Sequence, residues 1–89
     1  MRTPVYTKRF EKDLKLVVKR GCDPEKIKAI MRTLIAGQSP AQRYRDHFLT
    51  GNFKDRRECH IEPDLLLIYR LDGERIIFER TGSHTDLFK

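Results

Sequence analysis

Leu65-Leu66-Leu67-Ile68-Tyr69 is the longest unbroken apolar run in the chain, and turn-forming residues close it on both sides, Glu62-Pro63-Asp64 before it and Asp72-Gly73-Glu74 after it. A run with no polar member cannot turn one face to water, so it specifies a central strand covered on both faces. It is far too short to cross a bilayer, which takes about 20 apolar residues in a helix. The flanking connections are short and rich in Pro, Asp and Gly, the residues of tight turns. They predict an antiparallel meander of Arg57 to Ile61, Leu65 to Leu71 and Arg75 to Thr81.

Something must cover that central strand, and the first half of the chain supplies it. Val5 and Tyr6 read as a short opening strand. Thr7 then serves as N-cap for a helix with Phe10, Leu14, Val17 and Val18 at helical spacing, ended by Gly21. Asp23 and Pro24 start a second helix more strongly, as acceptor for the free first-turn amides and as a residue with no N–H to lose. Ile27, Ile30, Met31, Leu34 and Ile35 give its apolar stripe, and Gly37 closes it. Two amphipathic helices joined by a short link need an apolar surface, and the meander provides one. The expected fold is therefore α+β, two N-terminal helices packed on a small antiparallel sheet. Between the halves, Gln38 to Asn52 is a polar stretch containing Arg43, Tyr44, Arg45 and His47, and a connection of that length in a small domain usually carries function.

With 89 residues of which 38% are hydrophobic, the chain fits one domain, residues 1–89, with one modest core. A large internal substrate cavity is excluded, and chemistry is expected on an open surface. Nineteen Lys and Arg against thirteen Asp and Glu leave a formal charge of +6, which favours polyanionic partners. No apolar stretch follows Met1-Arg2-Thr3-Pro4, so no secretory signal is read and a soluble, cytoplasmic protein is expected. Cys22 and Cys59 lie far apart without a CxxC pair, which indicates neither a disulfide framework nor a cysteine zinc module.

The three histidines, His47, His60 and His84, all fall in loops or at strand ends, outside the helical stripes. Asp64 follows His60 across the Pro63 turn and is expected to face it, and Arg80 lies near the end of the neighbouring strand. Such a group suits RNA cleavage. A 2′-hydroxyl must lose a proton and attack the adjacent phosphate, and the departing 5′-oxygen must gain one. Imidazoles with pKa values near 6.5 serve both roles while Arg stabilises the phosphate charge. An Asp can orient a ring or act as the base. The scheme needs no metal and no cofactor. A zinc site from His60, Asp64 and His84 is the competing reading, but these residues lack a tight ligand spacing. Arg43, Arg45, Lys54, Arg56 and Arg57 form a candidate phosphate track around His47, unless they are simply solvated. Phe88 either caps the core or offers a face for a nucleobase.

Three segments in order carry a family resemblance: Tyr44-Arg45-Asp46-His47-Phe48-Leu49-Thr50-Gly51; Cys59-His60-Ile61-Glu62-Pro63-Asp64 leading into Leu67-Ile68-Tyr69; and Phe78-Glu79-Arg80-Thr81-Gly82-Ser83-His84 with Leu87-Phe88. Across nearly its whole length the chain resembles the YafQ-type toxins of bacterial toxin–antitoxin modules, in the RelE/ParE superfamily. The resemblance implies a RelE-like, microbial RNase-like domain with two N-terminal helices on an antiparallel sheet. It further implies a ribosome-dependent endoribonuclease that cuts mRNA in the ribosomal A site, arrests translation and is neutralised by a cognate antitoxin, meeting DNA only through that antitoxin. His47, His60, Asp64, His84 and Phe88 match the family's catalytic or substrate-positioning residues. The expected roles are Asp64 or His47 as base, His84 as acid, and His60 with Arg80 on the phosphate. Phe48 stands where family members often have Pro. The alternative is a non-catalytic basic module that binds RNA or an antitoxin, with structural histidines.

Overall fold

The structure, a computed structural model, describes residues 1–49 and 55–88. In chain order it has strand β1 (Thr3–Tyr6), helices α1 (Lys8–Lys19) and α2 (Pro24–Ile35), a 3-10 turn (Gln42–Tyr44), strands β2 (His47–Phe48), β3 (Arg56–Glu62), β4 (Leu65–Asp72) and β5 (Arg75–Gly82), and a short helix α3 (His84–Phe88). The sheet has five strands in the order β1-β5-β4-β3-β2. The antiparallel meander read from the turns is β3-β4-β5, with the apolar run inside β4 at its centre. Two short strands extend it. β2 pairs antiparallel with β3, and β1 pairs parallel with β5, so the sheet as a whole is mixed. The connection between these parallel neighbours is long, running through α1, α2 and then β2, β3 and β4.

Local chemistry starts both helices where the sequence places them. Thr7 Oγ1 accepts from Phe10 N–H at 3.0 Å and donates to the Glu79 carbonyl at 3.0 Å, so one hydroxyl caps α1 and ties it to β5. The Asp23 carboxylate accepts from Glu25 N–H at 3.0 Å ahead of Pro24. Gly21, at φ +100°, takes the left-handed conformation that lets the chain leave α1. The α1 stripe differs from the expectation at one position. Val18 is exposed, and the buried ridge is Phe10, Asp13 and Val17. A carboxylate has taken the i+3 place because it has polar partners on β5.

The main core lies between the helices and one sheet face, where Phe10, Ile27, Ile30 and Leu34 meet Cys59, Leu67, Tyr69, Ile76 and Phe78. Strand alternation sends Leu66 and Ile68 to the other face, where Leu87 of α3 covers them. The central strand is thus buried on both sides, but by different elements. Helix α3 follows a capping box: Ser83 N–H donates to Asp86 Oδ2 at 3.0 Å, and Asp86 N–H donates to Ser83 Oγ at 3.1 Å. Gly82 is required beside it, since a Cβ there would lie 2.9 Å from Asp86 Oδ2. Cys22 and Cys59 are free thiols. Burial pushes the Cys59 thiol up to about 12, which removes it as a nucleophile.

Candidate active site

The site is built on the sheet face that α3 half covers. In an antiparallel pair, directly opposed residues share a face. His47 opposes Glu58, Glu58 opposes Ile68, and His60, two residues along β3, opposes Leu66. His47, Glu58 and His60 are therefore neighbours on one face. Glu58 is buried and its Oε2 oxygen lies 3.1 Å from His47 Nε2 and 2.9 Å from His60 Nε2, so one carboxylate oxygen bridges both rings. His47 Nδ1 also lies 2.5 Å from the Arg45 carbonyl. Both ring nitrogens of His47 thus face oxygen atoms of the protein.

On the far side of His60 stands His84, the first residue of α3. Its backbone N–H donates to Asp64 Oδ1 at 3.0 Å, and its Nδ1 lies 3.2 Å from the same oxygen. These two bonds hold the Asp64 carboxyl below the usual carboxylate range. With Nδ1 committed to Asp64, Nε2 is the nitrogen left for proton transfer. Ring centroids step across the rim at 5.8 Å from His47 to His60, 5.8 Å from His60 to His84, and 6.2 Å from His84 to Phe88. Phe88 is 38% exposed at the end of this row, which places it on the rim and not in the core. An open groove of about 940 Å³ runs from His60 and His84 to Arg43, Tyr44 and Arg45.

The structure thus gathers His47, His60, Asp64, His84 and Phe88 on one rim. Asp64 does not face His60, as expected from their proximity across the turn. It reaches His84, and His60 finds Glu58 instead. Arg80 opposes Ile68 on the same face, in line with Glu58, and is bound to Asp13. Arg43 and Arg45 line the groove. Arg56 and Arg57 are each paired with an acid. Arg56 is ion-paired to Glu79, which also takes Arg70 at 3.1 Å. Arg57 opposes Tyr69, on the face away from His47, and both its Nε and Nη2 reach Asp46, at 3.2 and 3.3 Å. Both cations are held because acids stand within reach, Glu79 on β5 for Arg56 and Asp46, just before β2, for Arg57. Lys54 lies outside the described residues. Glu58 is the site residue that sequence reasoning missed, although strand alternation alone puts it on the face of His60, two residues on.

The sequence and fold have known relatives. The family model for YafQ, bacterial toxin of type II toxin–antitoxin systems, matches residues 2–89. The chain belongs to the YafQ toxin family. It is 44% identical over 84 residues to the mRNA interferase toxin YafQ of Escherichia coli K12, covering 93% of this chain and 91% of that one. The crystal structure of the Escherichia coli DinJ–YafQ complex superposes with a TM-score of 0.93 at 41% identity, covering 100% of both chains. A metal-bound toxin from Helicobacter pylori superposes with a TM-score of 0.92 at 42% identity, covering 99% of this chain and 100% of that one.

Among the described residues, the ligand atoms of His47, Glu58 and His60 all lie within 4.8 Å of one another, a set able to hold a metal ion. It differs from the His60, Asp64 and His84 set weighed from the sequence, because Asp64 and His84 are bound to each other. Among the described residues no helix is long and apolar enough to cross a membrane.

Proposed function

We propose that this chain is the toxin of a type II toxin–antitoxin pair, a cytoplasmic endoribonuclease whose one domain cuts mRNA by acid–base catalysis. The observation that carries the reading is the row of three imidazoles, each oriented by an oxygen acceptor, beside an open groove that Arg43 and Arg45 help to line. Message threaded by the ribosomal A site is the proposed substrate. An open rim on so small a domain can position a phosphodiester only with help, and a ribosome holding the codon supplies it.

The contacts divide the labour differently from the sequence expectation. Asp64 and His47, the two candidate bases, are both committed, Asp64 to His84 and His47 to acceptors at both nitrogens. Among the described residues His60 has a hydrogen-bond partner only at Nε2, Glu58, so His60 Nδ1 takes the proton of the 2′-hydroxyl. The 2′-oxygen attacks the adjacent phosphorus and the P–O5′ bond breaks. His84 Nε2 donates its proton to the departing 5′-oxygen, leaving a 2′,3′-cyclic phosphate and a 5′-hydroxyl. Asp64 orients His84 as the acid of a triad orients its histidine. His47 and Arg80 offset charge on the non-bridging oxygens, and Phe88 with the Arg43–Arg45 groove places the flanking nucleotides. A cognate antitoxin inhibits by covering this rim and neutralising its positive surround.

Induced expression of wild type and His84→Ala, followed by mapping of message 5′ ends, tests the proposal. In-frame cleavage by the wild type alone is expected. Growth arrest by a folded His84→Ala protein, lost instead on substituting Arg43 or Arg45, supports the non-catalytic binding module.

A further inference from the structure

Arg80 should not lie on the catalytic face. Phe78 points into the main core between sheet and helices, and a regular strand with period two would send residue 80 the same way. The register of β5 shifts instead: Phe78 opposes Tyr69, yet Arg80 opposes Ile68, so Glu79 is an extra residue. This β-bulge carries Arg80 to the face of Glu58 and Ile68. A bulge fixes which side the side chain leaves from, but it does not fix a long, rotatable guanidinium.

Asp13 does that. It is 8% exposed in the middle of α1, and its Oδ2 accepts from Arg80 Nε at 2.7 Å and from Thr81 N–H at 3.2 Å, while Oδ1 lies 3.3 Å from Arg80 Nη2. Arg80 Nη2 also reaches the carbonyl of Asp86, two residues after His84, at 3.5 Å. None of these bonds uses Nη1. The guanidinium is gripped along one edge by a helix that carries no catalytic group, and its other end is left to meet an oxyanion. A bidentate carboxylate sets the guanidinium plane as well as its position. A surface ion pair needs neither burial nor a third bond to the backbone beside the arginine.

We propose that Asp13 is a positioning residue for RNA cleavage: it holds the Nε–Nη2 edge of Arg80 so that Nη1 binds the scissile phosphate. This rests on the ribonuclease reading above. It assigns α1 a role in the reaction besides covering the sheet, since Asp13 spans from the helix layer to the strand end beside the acid His84.

A double-mutant cycle measured as single-turnover message cleavage on programmed ribosomes tests it. Asp13→Asn keeps the shape of the side chain but not its charge or its second acceptor. It is expected to lower the cleavage rate about tenfold or more with little change in KM, and to have less than about a twofold effect in an Arg80→Ala background. An equal loss in both backgrounds shows a merely structural role and overturns the proposal. So does full activity of Asp13→Asn while His84→Gln is inactive. If His84→Gln cleaves normally, it is the ribonuclease reading that fails. Should Asp13→Asn not fold, nitrogen-15 spectra of the wild type decide. A slowly exchanging Arg80 Nε–H, unmoved when a 2′-deoxy message analogue shifts the Nη signals, is expected. Rapid exchange of Nε–H, or Nη signals unmoved by the analogue, overturns it.

Discussion

One oxygen of Asp64, Oδ1, accepts from both the backbone N–H and the ring Nδ1 of His84, at 3.0 and 3.2 Å. A single atom therefore ties the first residue of α3 to the β3–β4 turn and sets which nitrogen of His84 faces the groove. Asp64→Asn presents an amide that can keep only one of these contacts as an acceptor and can turn an NH₂ toward the ring. The expected result is a loss of at least about tenfold in cleavage rate, against about 10²- to 10⁴-fold for His84→Gln. The helix content stays, because the Ser83–Asp86 capping box is intact. Single-turnover rates alongside circular dichroism check this, and equal activity of Asp64→Asn and wild type rejects the orienting role.

Acid should release α3 before it unfolds the sheet. Bonds from His84 hold the Asp64 carboxyl below its ordinary range, and the Ser83 amide with Arg20 does the same for Asp86. Carboxylates with lowered native values stabilise the fold fully above the unfolded value of about 3.9 and lose that contribution as pH falls through the native values. The window therefore lies below about pH 4, and stability falls as the pH falls. Amide shifts of Ser83, His84 and Leu87 followed from pH 6 to 2.5 are expected to move ahead of those of β4. Simultaneous movement of all of them removes this prediction.

Glu58 bridges His47 and His60 through one oxygen. Glu58→Gln leaves one carbonyl to serve two rings, so it is expected to perturb the imidazole nitrogen signals of His47 and His60 together, to spare those of His84, and to lower cleavage by about tenfold or more. The same trio gives a metal prediction. Added zinc bound by His47, Glu58 and His60 ligates the ring of the base and lowers its power to accept a proton, so micromolar zinc is expected to inhibit and a chelator to restore full cleavage. Activity that a chelator abolishes and zinc revives contradicts the acid–base scheme.

What the sequence made legible follows from how local each signal is. The apolar run at residues 65–69 and its two turns fix the meander, and Asp23-Pro24 fixes a helix start, because one or two neighbouring residues decide each of these. The β1–β5 pairing was invisible because it joins segments 72 positions apart, Thr3 with Arg75, and a two-residue strand such as β2 has no period to read. The histidines were recognisable by type and their gathering by family resemblance, but their partners were not. His60 turns to Glu58 and His84 to Asp64 because register and the cap of α3 decide reach, and both are tertiary. The α3 helix had a local signal, Ser83-x-x-Asp86, that its five-residue length kept weak. Asp13 and Arg57 show the remaining limit: a charged residue in a sequence does not announce the opposite charge that will hold it.

Arg57 turns that limit into a test. Tyr69 Oη donates to Asp46 Oδ1 at 2.7 Å, Arg57 binds the same carboxylate, and the Arg57 guanidinium lies 4.3 Å from the centre of the Phe48 ring. Asp46 and Phe48 flank His47, so this cluster fastens the strand that presents His47, from the opposite face. Were Arg57 a phosphate contact, Arg57→Ala would weaken RNA binding and flatten its dependence on salt. As a fastener it acts on stability: a hydrogen bond to a charged group is worth about 1.5–3 kcal/mol, so Tyr69→Phe is expected to destabilise by about that much and Arg57→Ala by a similar amount. Both substitutions break contacts of one carboxylate, so the double variant should lose less than the sum of the two. Urea unfolding of the four proteins, with the salt dependence of RNA binding measured on each, separates the outcomes. A changed salt slope in Arg57→Ala with unaltered stability returns Arg57 to the phosphate track.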